Sequence, residues 1–421
     1  MDAMKRLIVG FDLCEDYSQL CCYSYKMNEP ITIGLLEQTE QEEMIPTALC
    51  VRKDSKQWLF GEEAVTCAGD GEGLLINQLI TKLKTDEVTE IYQTKFSAVA
   101  LLEKYLRKVL MLVKNYFPTE PITRLVITIE ESDPKVIDKI YETLGLLGID
   151  KDRANIISHA SAYLYYVLSQ EKNLWMNDVG LFDFSLTGLY FYRIRLNRRS
   201  NPMLASLEKL EFTNDLEEYP QLKNKEKASY QFDNLANTIL HKQIISTLYF
   251  TGRGLESGWA DTVIKSLCTG RRIFVGQSLY SKGACYAAKE FAGDSCLQEV
   301  RLFHDDMVTS SLGLRVFCDN KFKEHMLLHA GDTWYEVNSK CEVIPDGALE
   351  LELVQSKILT KETSQIKLSL EPFPKPIERT TRWQVVLSCK DRSTATIKVT
   401  DLGFGEFYPG TGEVIEYTIE I

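Results

Sequence analysis

The first apolar run of the chain reads Leu7-Ile8-Val9-Gly10-Phe11-Asp12-Leu13 and leads straight into Cys14-Glu15-Asp16. A continuous apolar run of this length predicts a buried strand rather than a half-exposed one, because period-two alternation is absent. It carries a single carboxylate, Asp12, at its end. A turn that follows such a strand can receive phosphate when it holds Gly, Ser or Thr, whose N–H and O–H groups close around phosphate oxygens. Here Glu15 and Asp16 stand in that turn. At short range like charges repel by roughly 1 to 4 kcal/mol or more, so the strand invites an anion and the turn opposes it.

The rest of the chain predicts a globular protein of two or three domains, given 421 residues, 44 % hydrophobic and 26 % charged. The formal net charge of −12 and a pI of about 5.2 argue against a nucleic-acid partner. The first apolar run is broken by Asp12 and Glu15, so no signal peptide is expected. No stretch approaches the roughly 20 apolar residues of a membrane helix. Eleven cysteines form no CxxC pair, which predicts reduced thiols acting as small core hydrophobes in a cytoplasmic protein. Five histidines are scattered, which leaves a metal cluster little support.

Residues 1–305 mix strands and helices. A strand pair is expected at Leu7–Leu13 and 21–25, and a helix over 96–116, apolar at Val99, Leu102, Leu106, Val109, Leu110 and Val113. Leu125-Val126-Ile127-Thr128-Ile129 reads as a buried strand, and Ser132-Asp133-Pro134 as the start of a helix that ends near Gly148. A strand at 154–157 and an Ala/Tyr-rich helix over 158–168 follow. A second hairpin is expected at 179–184 and 189–194, an exposed charged excursion over 195–229, a helix over 231–245 and a strand over 246–251 closed by Gly252-Arg253-Gly254. Residues 307–421 alternate strictly, as in Leu349-Glu350-Leu351-Glu352-Leu353 and Ala395-Thr396-Ile397-Lys398-Val399, with further strands at 366–370, 383–387 and 414–421. Turns such as Pro345-Asp346-Gly347 separate them, which predicts a β-sandwich. The boundary falls near 300–308.

In this order the pieces resemble the seventy-kilodalton heat-shock chaperone family of the actin and sugar-kinase ATPase superfamily. Residues 8–25 resemble its first phosphate hairpin, and Ile156-Ile157-Ser158-His159-Ala160-Ser161-Ala162-Tyr163 the helix after its Asn-Glu-Pro-Thr-Ala-Ala type motif. Leu181-Phe182-Asp183-Phe184-Ser185-Leu186-Thr187-Gly188 occupies the second phosphate hairpin. Leu248-Tyr249-Phe250-Thr251-Gly252-Arg253-Gly254 resembles the adenosine strand and turn, and Gly283-Ala284-Cys285-Tyr286-Ala287-Ala288 the closing small-residue helix. Ser311-Leu312-Gly313-Leu314, Ser369-Leu370-Glu371-Pro372 and residues 395–401 resemble strands of its peptide-binding sandwich. The resemblance implies an α/β actin-like (ribonuclease-H-like), two-lobed ATPase fold over 1–305, with lobes of about 1–175 and 176–305, followed by an all-β sandwich over 307–421.

The resemblance also implies ATP or ADP with Mg²⁺ as cofactors. Asp12 and Asp183 would be the catalytic candidates, holding Mg²⁺ through water; the alternative is that each caps a strand or a turn. Ser185, Thr187, Gly188, Gly252 and Gly254 are the candidate nucleotide contacts, the two last glycines reading equally well as a tight strand-to-helix turn. Lys82 and Lys84 are candidates for a phosphate-contacting lysine. Several features depart from the family. Cys14-Glu15-Asp16 replaces small residues, Leu186 intrudes where glycines let backbone approach phosphate, and His159 stands where the family has an acidic residue. Only about 70 residues separate Asp183 from Gly252, too few for the subdomain that clamps adenine. No cofactor is therefore assigned.

In the sandwich, Phe322, Met326, Leu327, Leu328, Trp334 and Tyr335 lie where the first loops are expected. Met326, Leu328 and Trp334 are the candidates for an apolar peptide site, the alternative being core. The chain ends on what reads as its last strand, so a helical lid is not expected and peptide exchange would be fast. The sequence thus predicts a chaperone-like binding or scaffold protein for a protein or peptide client, with a degenerate, inactive nucleotide site. The alternative is a minimal ATP-dependent chaperone that hydrolyses ATP with Mg²⁺; a sugar kinase is disfavoured by the sandwich.

Overall fold

The structure is a computed structural model that describes residues 7–34, 44–216, 219–294, 297–371, 373 and 380–421. Pro372 of the Ser369–Pro372 motif lies outside them. The chain is mixed α/β with a β-rich C-terminal part, and it forms two compact units, Met1–Arg301 and Leu302–Ile421. Among the described residues no helix is long and apolar enough to cross a membrane.

The first unit is built on two sheets that repeat one topology. In the first, β1 (Leu7–Leu13), β2 (Tyr17–Ser24) and β3 (Glu29–Ile33) form an antiparallel meander. β4 (Ile122–Ile129) and β5 (Ala154–Ser158) then add in parallel on the other side of β1, giving the order β3-β2-β1-β4-β5. In the second, β6 (Asp178–Phe184), β7 (Leu189–Asn197) and β8 (Met203–Glu211) are the meander. β9 (Ile245–Thr251) and β10 (Arg272–Val275) are the parallel additions, giving β8-β7-β6-β9-β10. Every residue of β1 is buried, as its unbroken apolar run requires. Asp12 is the penultimate residue of β1, and Asp183 the penultimate residue of β6.

The helices have local causes. Helix α1 (Ala98–Tyr116) is capped by the Ser97 hydroxyl, which accepts from the Ala100 N–H, and buries Leu102, Leu106, Val109 and Val113 on one stripe. Helix α2 (Pro134–Leu146) has Asp133 as its cap and proline in its first turn, and α1 and α2 pack against each other. Helix α3 (His159–Leu168) begins directly after β5, its cap formed by the Ser158 hydroxyl accepting from the Ser161 N–H. The 195–229 segment is not an excursion. Residues 203–211 form β8, with Leu204, Ala205 and Leu207 buried and Glu208 paired to Arg195 of β7 at 2.9 Å. Its charges belong to the solvent face of a strand, which is why composition alone misread it. Helix α4 (Lys225–Leu240) starts six residues earlier than expected because the Asn224 side chain caps it. One face of the second sheet is an aromatic core of Phe182, Phe184, Phe191, Phe232, Phe250 and Trp259.

Helix α5 (Leu279–Phe291) ties the halves of this unit together. It packs on β1 and on α3, and α3 in turn sets Tyr163 against Tyr192 and Tyr249 of the second sheet. The approach is close enough to demand glycine. A Cβ on Gly283 would lie 2.1 Å from the Ala162 carbonyl oxygen, and one on Gly10 would lie 2.2 Å from the Cys285 nitrogen.

The second unit has two four-stranded antiparallel sheets. One runs β12 (Lys321–Leu328), β11 (Ser310–Cys318), β14 (Glu350–Lys357), β15 (Glu362–Ser369). The other runs β13 (Asn338–Val343), β16 (Trp383–Asp391), β17 (Thr394–Asp401), β18 (Val414–Glu420). They share one core, in which Leu312, Leu314, Leu351 and Leu353 meet Trp383, Val385, Leu387, Ile397 and Val399. The alternation read from the sequence at 349–353 and 395–399 is the inward-facing set of β14 and β17.

Candidate functional site

The ends of β1 and β6 face a cavity of ≈ 100 Å³ lined by Asp12, Cys14, Glu15, Glu130, His159 and Asp183, with Gln19, Arg253 and Tyr280 among the remaining wall. The two aspartates are 5 % and 4 % exposed, and each is engaged by the helix that follows the fifth strand of its own sheet. His159, the first residue of α3, places Nε2 2.7 Å from Oδ1 of Asp12. Tyr280, the second residue of α5, donates its hydroxyl to Oδ2 of Asp183 at 2.6 Å. The two rings stack, with centroids 3.9 Å apart and planes within 10°. The repeat of the fold is thus carried into the side chains: a carboxylate, an aromatic ring, a second ring and a second carboxylate form one buried chain.

The electrostatics follow. Burial alone would lower the His159 pKa, but the carboxylates of Asp12, foremost, Glu130 and Asp183 together outweigh it and raise the imidazole above its ordinary value. Burial pushes Asp183 up to about 6 against the hydrogen bond from Tyr280. Burial, reinforced by Asp12, holds the Cys14 thiol well above its usual range. The thiol lies 3.4 Å from Oδ1 of Asp12 and 3.6 Å from Nε2 of His159. Burial also raises Glu15, though the Thr81 N–H, 3.2 Å from its Oε2, partly compensates.

The nucleotide contacts expected from sequence are placed differently. The Ser185 hydroxyl lies 2.7 Å from that of Thr187, and Thr187 donates to Glu130, so both hydroxyls turn to a carboxylate. Leu186 is exposed at the cavity wall. Gly188 packs beneath Thr213 and Tyr190 and does not line the cavity. Gly252 lines it with φ +100°, and a Cβ there would meet the Phe184 backbone at 2.4 Å, so its role is the strand-to-turn approach of β9 to β6. Gly254 sits against the Tyr219 hydroxyl, which donates to the Ser185 carbonyl. Lys82 pairs with Glu87 and Lys84 with Asp133, and neither lines the cavity.

Asp12, Glu15, Asp16, Glu130 and Asp183 line the cavity, against Arg253 and His159. Such a wall attracts cations and repels polyphosphate. The tight trio of Asp12, Cys14 and His159 was not apparent from sequence, because 147 residues separate Asp12 from His159. Glu130 and Tyr280 had no sequence signal beyond their places after β4 and at the start of α5.

In the second unit, Leu328 is fully buried and belongs to the core, where the inward face of β12 puts it, so it is not available to a peptide. Met326 is half-buried on β12, and Trp334 packs against the same core from a 3₁₀ turn, edge-on to Tyr335. Exposed aromatic side chains include instead Phe317 and Phe322, 65 % and 66 % exposed at the tip of the β11–β12 hairpin, with the Arg315 guanidinium 4.6 Å over the Phe322 ring, and Phe404, Phe407 and Tyr408.

No curated protein matches the chain. Residues 307–421 match a domain of unknown function, DUF8552. Residues 29–305 match the family described as "Family of unknown function (DUF5716) C-terminal", a span that holds Glu130, His159, Asp183 and Tyr280 and begins after Asp12 and Cys14. As that match covers about two thirds of its length, the chain belongs to the DUF5716 family.

Proposed function

We propose that this protein is a non-catalytic, chaperone-like binding or scaffold protein. In this reading an actin-like ATPase fold has lost its nucleotide chemistry, and a β-sandwich supplies the binding surface. The repeated strand order of the two sheets, with an aspartate at the same place in each, supports the actin-like reading of the first unit. One observation supports reading the site as inactive. Both aspartates that would hold a metal–nucleotide complex are occupied by protein side chains, Asp12 by His159 and Asp183 by Tyr280. Mg-ATP held by these carboxylates would compete with both hydrogen bonds inside an anionic cavity. The exposed Phe317 and Phe322 pair is one apolar feature of the second unit that suits a protein or peptide partner, beside Phe404, Phe407 and Tyr408.

The test is a thermal melt of the full chain with and without millimolar Mg-ATP or Mg-ADP. A ligand at 100 times its dissociation constant adds about 2.7 kcal/mol of stability, a shift of several degrees. The reading expects no shift. A clear shift that disappears in Asp12→Ala would overturn it in favour of an ATP-dependent chaperone.

A further inference from the structure

The geometry points to a Zn²⁺-class metal site formed by Asp12, Cys14 and His159, with its fourth coordination position open to the cavity. One carboxylate oxygen, one thiol sulfur and one imidazole nitrogen converge there: Sγ to Oδ1 is 3.4 Å, Sγ to Nε2 is 3.6 Å and Nε2 to Oδ1 is 2.7 Å. With metal bonds of about 2.3 Å to sulfur and about 2.0 to 2.2 Å to nitrogen and oxygen, the edges of a tetrahedron are about 3.3 to 3.6 Å. Two of the three edges already have that length. The third opens by about 0.6 Å when the His159–Asp12 hydrogen bond is exchanged for two metal bonds.

The donor set selects the metal. A thiolate and an imidazole favour Zn²⁺, whereas Mg²⁺ prefers all-oxygen octahedral surroundings. Three protein ligands with room for a solvent molecule is the pattern of an open zinc site rather than a closed structural one.

A second observation points to a ligand at the same place. Gln19, the antiparallel partner of Asp12 on β2, is 4 % exposed, lines the cavity, and leaves its Nε2 without a hydrogen-bond partner. Buried donors are seldom left unspent, and a metal-bound water or hydroxide accepts from the Gln19 amide. The five carboxylates of the wall supply the field that draws a cation in. This site is independent of the nucleotide reading, since it needs no phosphate contact.

The experiment uses the full chain, purified through chelator and titrated with Co²⁺ and then Zn²⁺. Metal content is read by mass spectrometry, and Co²⁺–thiolate charge-transfer absorption reports the sulfur ligand. The expected result is one equivalent of Co²⁺ with a charge-transfer band, displaced by Zn²⁺. Cys14→Ser abolishes the band and weakens Zn²⁺ binding by more than about a hundredfold, beyond the 10- to 100-fold typical of outer-shell changes. His159→Gln weakens binding similarly and serves if Cys14→Ser fails to fold. Cys318→Ser, at an exposed thiol of the second unit, changes neither readout. The proposal is overturned if the wild-type chain takes up no stoichiometric metal, or if the band survives Cys14→Ser or is lost in Cys318→Ser.

Discussion

The meeting of α5 with α3 is the tightest joint of the first unit, and Gly283→Ala tests it. The added Cβ would stand 2.1 Å from the Ala162 carbonyl oxygen and 2.7 Å from its carbon. Ordinary van der Waals contact begins near 3.4 Å, so the helices must separate by 3.4 − 2.1 = 1.3 Å. They cannot do so freely. The same face of α5 is held against β1 at Gly10, where a Cβ would already be 2.2 Å from the Cys285 nitrogen. Overpacking of a well-filled core costs about 1 to 3 kcal/mol and occasionally more, and a backbone obstacle places this site at the upper end. The better helix propensity of alanine returns about 1 kcal/mol, leaving a net loss of about 2 kcal/mol or more. The control is Gly145→Ala in α2, where an added Cβ meets nothing within 4 Å and a stabilisation of about 0.4 to 1 kcal/mol is expected. Urea unfolding of both variants, followed by far-UV circular dichroism, gives the two changes side by side. If Gly283→Ala is as stable as the wild type, or shifts in the same direction as Gly145→Ala, the account of this joint is wrong.

Asp183→Asn tests the buried carboxylate in metal-free protein. Its pKa of about 6 lies above the unfolded value of about 3.9, so the folded state holds the proton more tightly. The stability this supplies is complete below about pH 4 and is lost as pH rises through 6, at about 1.4 kcal/mol per unit. The wild type should therefore fall behind Asp183→Asn by an amount approaching 3 kcal/mol between pH 4 and pH 7.5, and parallel pH profiles of the two proteins would refute this. Leu328→Ala should cost about 2 to 5 kcal/mol, as for a filled core position, while Phe322→Ala leaves stability within about 0.5 kcal/mol; chemical denaturation distinguishes the two, and equal losses would contradict the assignment. Asp401 accepts hydrogen bonds from Thr381, from the Gly403 N–H, and from the N–H and hydroxyl of Thr411. Asp401→Ala should therefore expose the 402–413 loop to proteolysis before the rest of the second unit, and an unchanged cleavage rate would show that the loop holds without it.

The strands and helices of the first unit were largely legible because their causes are local. The unbroken apolar run of β1 can only be buried, and Asp133-Pro134 and Ser158 each carry a helix cap in their own side chain. β8 was not legible, because a strand with one solvent face shares its composition with a loop, and pairing with β7 decides between them. For Leu328 the sequence left peptide site and core both open for a related reason, since an apolar residue in an alternating strand does not say which face looks inward, and the structure places it in the core.

The sequence by itself determined that Asp12 and Asp183 would each end a buried apolar strand, and that Glu15, Asp16 and Leu186 would crowd the turns beside them. Those facts rest on neighbours a few residues away. What each aspartate touches was decided only by the tertiary structure. His159 reaches Asp12 across 147 positions and Tyr280 reaches Asp183 across 97, because α3 and α5 cross at a glycine contact and bring their first turns together. No local pattern encodes that meeting. It arises from two sheets of the same topology packed through two helices. It turns a pair of carboxylates that could have faced a nucleotide into a closed chain of protein side chains, with a cysteine beside it.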